Sequence, residues 1–164
     1  MSAQDLTEAG LLNELAKKYE AHDTRNFRVL DFLAAFGSPL DAHAYLRLFR
    51  PTFIQFHGMT FRADSIEDGE DRNRILSALE RYEGNRQKTE QSFNLLEIPS
   101  GAFSRHETES SERLNRQLAE ALAELWSMQL VAQYSGEAFV VRVVPPEETG
   151  GQVGIVFHTK VDPK

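Results

Sequence analysis

The sequence predicts an α+β fold: one domain with a helical N-terminal third and an antiparallel sheet of about four strands, arranged as two hairpins and packed against helices. Three observations predict it. The first fifty residues carry apolar side chains at helical spacing, broken by Gly37-Ser38-Pro39 and by Pro51. TFIQFHGMTFRA, residues 52–63, alternates around His57-Gly58, as a tight hairpin does. AFVVRVV and QVGIVFHTKV, residues 138–144 and 152–161, are two β-branched runs separated by a Pro- and Gly-rich connection.

The elements follow in order. Asp5, with Glu8 three residues on, caps a first helix to Tyr19, and Leu11, Leu15 and Tyr19 mark its apolar face. Phe27 to Phe36 forms a second helix. It is so rich in apolar residues that burial on more than one side is expected. Gly37 stops it in the left-handed conformation. Ser38 caps a third helix, Pro39 occupies its first position, and Asp41 meets the positive end of its dipole. Pro51 ends it.

In the hairpin, a two-residue turn sets Phe56 opposite Met59 and Ile54 opposite Phe61, with all four on one face. Gln55, Thr60 and Arg62 fall on the other face, with Phe53 its apolar exception. His57 is then a turn residue at positive φ, followed by Gly58.

The acidic run DSIEDGED carries Asp64, Glu67, Asp68, Glu70 and Asp71 without a basic residue. It reads as a loop leading into an acidic helix start. Ile75, Leu79 and Tyr82 give a short helix closed by Gly84, and residues 87–94 give another. Residues 99–106 form a loop. Capping residues at 108–111 open a long helix to about Val131, with Leu114, Leu118, Leu122, Leu125 and Gln129 as one stripe and Trp126 and Leu130 beside it. Trp126 belongs to the core. PPEETGG is an exposed hairpin connection.

The 164 residues suit a single domain, able to bury roughly 70% of its unfolded surface. The absence of cysteine removes disulfides, thiolate zinc sites and a cysteine nucleophile. No basic, apolar leader opens the chain, and no run approaches the roughly 20 apolar residues of a membrane span. A cytoplasmic protein without a membrane partner is expected. The net charge of -7 argues against nucleic-acid binding, which needs clustered Lys and Arg.

Neither a phosphate-binding glycine loop nor a nucleophile elbow is present. The acidic run lacks the alternating oxygen ligands of a calcium loop. His22, His43, His57, His106 and His158 show no ligand spacing, so neither a metal nor a cofactor is expected. His57 and His158 are the candidates for acid–base chemistry if the fold brings one of them to a carboxylate. Otherwise His158 is a polar-face residue of its strand.

Small acidic α+β proteins without catalytic motifs include many inhibitors, bacterial immunity proteins and adaptors, a likeness of class alone. The leading expectation is therefore a protein-binding module. It docks a basic protein partner through Asp64, Glu67, Asp68, Glu70 and Asp71, whose negative charge speeds encounter with a basic surface by steering. An enzyme or ligand-binding protein using His57 or His158 is the alternative.

Overall fold

The computed structural model describes residues 7–19, 28–98 and 109–160. The fold is α+β, with seven α-helices and two antiparallel sheets of two and three strands among those residues. The chain divides into two compact units, Met1–Leu46 and Arg47–Lys164.

The first unit holds α1 (Glu8–Lys18), α2 (Val29–Phe36) and most of α3 (Pro39–Phe49). Thr7 caps α1 by accepting from the Gly10 N–H. The expected cap Asp5 lies outside the described residues, as do Phe27 and the loop 99–106. Within this unit Tyr19 stacks on Phe36, with ring centroids 4.3 Å apart. Of α2 only Phe32 is buried, while Leu30, Leu33 and Phe36 are exposed. The expectation of burial on several sides therefore fails, because an eight-residue helix has one face covered here.

Gly37 ends α2 for a different reason than expected. Its backbone is extended (φ -79°, ψ 152°), not left-handed. A side chain at Gly37 would drive its Cβ into the Leu33 carbonyl, which accepts the Gly37 N–H at 2.9 Å. The close approach, not the dihedral, selects glycine. Ser38 then caps α3 as expected, its hydroxyl accepting from the Leu40 and Asp41 N–H groups.

The second unit opens with the hairpin β1 (Phe53–Phe56) and β2 (Met59–Arg62). Its register is the expected one, Phe56 opposite Met59 and Ile54 opposite Phe61. His57 (φ 52°) and Gly58 (φ 68°) form the turn, with the two positive φ angles that suit the twist of the strands. A 3-10 turn, Ala63–Ser65, leads to α4 (Gly69–Arg81) and α5 (Arg86–Asn94). Then follow β3 (Leu96–Ile98), α6 (Glu109–Gln133), β4 (Phe139–Val144), the short α7 (Pro146–Thr149) and β5 (Val153–Thr159).

β3, β5 and β4 form the second sheet in that order, all antiparallel. β4 and β5 pair as the sequence predicts. β3 is a fifth strand that it did not predict, and the strands divide into two sheets instead of one. The connection between β4 and β5, expected as a plain loop, winds into α7 and closes on Gly150 at φ 88°.

Two apolar clusters fill this unit. In the larger, Ala119, Leu122, Trp126 and Leu130 of α6 meet Val153, Ile155 and Phe157 of β5 and Phe53 of β1. Phe53, Trp126 and Phe157 pack edge to face in a triangle, with centroids 5.2–6.3 Å apart. Trp126 is core, as expected. In the smaller, Met59 and Phe61 meet Ile66 and Ile75. The hairpin thus separates two cores. On the face that looked polar, Thr60 and Arg62 are buried as well, while Gln55 is exposed.

Helices pack on both faces of β5. Val153, Ile155 and Phe157 turn to α6, and the alternate residue His158 meets Gln87 of α5. The polar side chains of α6 meanwhile hold the chain entering β1. Pro51 has no N–H to offer the last turn of α3, whose carbonyls would otherwise be orphans. Trp126 Nε1 donates to the Leu48 carbonyl and Gln129 Nε2 to that of Phe49, both at 2.9 Å.

Candidate functional site

The acidic run lies between β2 and α4. Asp68 caps α4, one carboxylate oxygen accepting from the N–H groups of Glu70 (2.8 Å) and Asp71 (3.0 Å). Four free N–H groups at a helix start favour such an acceptor. Asp71 accepts from the Glu67 N–H and pairs with Arg74 at 3.0 Å. Asp64 pairs with Arg62, also at 3.0 Å. Arg72 lies over the Phe56 ring, 5.8 Å from its centroid.

Three of the five carboxylates therefore hold the turn together, and the nearby arginines have their own contacts. Glu67 and Glu70 are exposed and take part in no ion pair among the described residues. Both backbones are fixed by the Asp68 and Asp71 hydrogen bonds. The result is a hydrogen-bonded turn that leaves the Glu67 and Glu70 carboxylates exposed to solvent.

The two histidines have different surroundings. His57 is exposed at the hairpin turn, its ring 4.7 Å from that of Phe56. His158 is only 6% exposed, not the polar-face residue expected, because α5 covers that face of β5. The Gln87 amide nitrogen lies 3.2 Å from His158 Nε2, and His158 Nδ1 lies 3.0 Å from the Thr159 carbonyl. An amide donating to Nε2 and an Nδ1–H donating to the carbonyl satisfy the ring with neutral partners. Neither histidine hydrogen-bonds a carboxylate among the described residues. Among those residues, no group of three or more histidines and carboxylates could hold a metal ion, and no helix is long and apolar enough to cross a membrane. His22 and His106 lie outside the described residues.

The sequence reading missed a carboxylate that accepts three hydrogen bonds. Glu90 of α5 is 1% exposed. Its Oε1 accepts from the Thr60 N–H of β2 (2.7 Å) and the Thr159 hydroxyl (2.7 Å), and its Oε2 from the Thr159 N–H of β5 (2.8 Å). One turn on, Asn94 accepts from the Arg62 N–H at 3.2 Å and donates to the carbonyls of Thr60 (2.8 Å) and Phe157 (3.4 Å).

These bonds serve the open edges of two strands. In the β1–β2 register Thr60 and Arg62 point their backbone groups away from β1. β3 pairs only with Val153–Ile155, so beyond that point one edge of β5 has no strand partner. Glu90 and Asn94 replace the missing ladder and join the two sheets. Their spacing of four residues, with Gln87 one turn earlier, was the available signal: a polar stripe on a helix that the core must bury. Beside this network Thr60 Oγ1 and Arg62 Nη1 are buried and have no hydrogen-bond partner among the described residues. The Arg62 guanidinium lies over the Trp126 ring at 5.5 Å.

No protein-family model matches the chain, and no curated protein or solved structure matches it.

Proposed function

We propose that the chain is a cytoplasmic protein-binding module, of inhibitor or adaptor type, that docks a basic protein partner through the acidic turn ahead of α4. The observation that carries this reading is the pair Glu67 and Glu70, exposed and without ion pairs among the described residues, on a turn pinned by Asp68 and Asp71. A preorganised pair of free carboxylates loses little side-chain and loop freedom on binding. It also attracts cationic residues before contact. Asp64, Asp68 and Asp71 act mainly as scaffolding for that pair.

The alternative, acid–base chemistry at His57 or His158, has less support. Among the described residues His57 has no carboxylate partner, and His158 is satisfied by Gln87 and a carbonyl.

The test is affinity capture from the source cell with the unmodified chain and with Glu67→Gln/Glu70→Gln. A basic protein retained by the former and lost by the latter is the expected outcome. Identical capture by both removes the turn from the binding surface.

A further inference from the structure

Helix α6 carries a second apolar line, separate from its core face. Ala119, Leu122, Trp126 and Leu130 are the buried stripe. Of the expected stripe Leu122 is buried and Leu118 packs against the core, but Leu125 is 38% exposed, and one turn on Met128 is 63% exposed. Ala121, Leu125, Met128 and Ala132 are all exposed and step by four, three and four residues. That is the spacing of a two-helix seam. At about 100° per residue the four lie within about 60° of one another, on the side of the helix away from Trp126 and Leu130. A helix packed by its core face alone carries polar residues there.

Charge indicates what covers this line. The stretch QLAEALAELWSMQLVAQ, residues 117–133, contains Glu120 and Glu124 and no Lys, Arg or His. Both glutamates are exposed and flank the seam on one edge. A second copy laid on the same stretch brings no cation to either of them. We propose that the outer face of α6 is a docking seam for a basic amphipathic helix of a protein partner. That helix inserts apolar side chains at three- and four-residue steps between Leu125 and Met128, and its Lys or Arg residues lie along the Glu120–Glu124 edge. The seam is independent of the turn ahead of α4 and stands or falls separately from it.

Two synthetic amphipathic peptides with the same leucine seam, one edged with lysine and the other with glutamate, provide the test by fluorescence anisotropy. The lysine-edged peptide is expected to bind, and more weakly as salt rises. Leu125→Asp/Met128→Asp is expected to weaken it by about tenfold or more. Both positions are exposed, so an unchanged melting temperature should accompany that loss. Glu120→Lys/Glu124→Lys should reverse the preference, and it decides the matter if the aspartate variant melts early. Failure of the lysine-edged peptide to bind, equal binding of the two peptides, or no reversal by the charge swap overturns the proposal. So does self-association of the unmodified chain that the aspartate variant abolishes, which assigns the seam to a second copy.

Discussion

The acidic turn ahead of α4 and the middle of α5 use the same functional group in opposite ways. At the turn, Asp68 and Asp71 bond backbone amides at the surface, and Glu67 and Glu70 remain free. On α5, Glu90 is sealed between β2 and β5 and spends both oxygens on three donors. One carboxylate thus joins the two sheets, and two face solvent. The number of acidic residues does not separate these roles; the donors around each carboxylate do.

The sharpest way to break that contrast is Glu90→Gln. One amide NH2 would then face a backbone N–H, leaving a buried donor unsatisfied and removing a charge-assisted bond. A loss of about 3 kcal/mol is expected in urea unfolding. A loss below about 0.5 kcal/mol would show that Glu90 does not join the sheets. Asp68→Ala tests the intermediate case, a surface carboxylate with a structural task. Removal of this cap should cost about 1 kcal/mol. An unchanged urea midpoint would count Asp68 among the free carboxylates. For Glu67→Gln/Glu70→Gln the stability change should stay within about 0.5 kcal/mol, while partner association slows.

The smallest effect sharpens the comparison with an ionisable group of another kind. The Tyr134 hydroxyl donates to the Phe53 carbonyl at 3.1 Å. Burial, and then the Glu137 carboxylate, raise its pKa above the ordinary 10.0. A group whose folded pKa is raised contributes stability that is fully present below the unfolded value. That stability is lost as pH rises from about 10 through the folded pKa. Tyr134→Phe should therefore show a shallower loss of stability above about pH 10 than the unmodified chain. Parallel pH profiles would refute the assignment.

Local signals made much of this fold legible. The hairpin register followed from alternation around His57-Gly58, the cap of α3 from Ser38-Pro39, and the β4–β5 pair from β-branched runs. What escaped depends on tertiary context. β3 is three residues long, too short to show a period, and Gly154 on β5 lets it approach closely: a Cβ there would meet the Leu96 carbonyl oxygen at 3.1 Å. Two apolar lines on α6 overlap in sequence, so spacing alone could not say that Leu122 faces the core and Leu125 does not.

The candidate site was legible as an acidic segment but not in its division of labour. Which carboxylates are spent depends on Arg62, Arg74 and the amides of α4. Glu90 and Asn94 showed in the sequence only as a polar stripe with Gln87, and their role did not, because their partners lie on two distant strands.

The most direct measurement is the association rate of the captured basic partner as a function of ionic strength, for the unmodified chain and for Glu67→Gln/Glu70→Gln. A steep fall with salt is expected for the unmodified chain. The variant should associate more slowly at low salt and fall less steeply, the two curves converging as screening removes the steering. Superimposable curves would contradict it, since the free carboxylates of the turn would then contribute nothing to encounter.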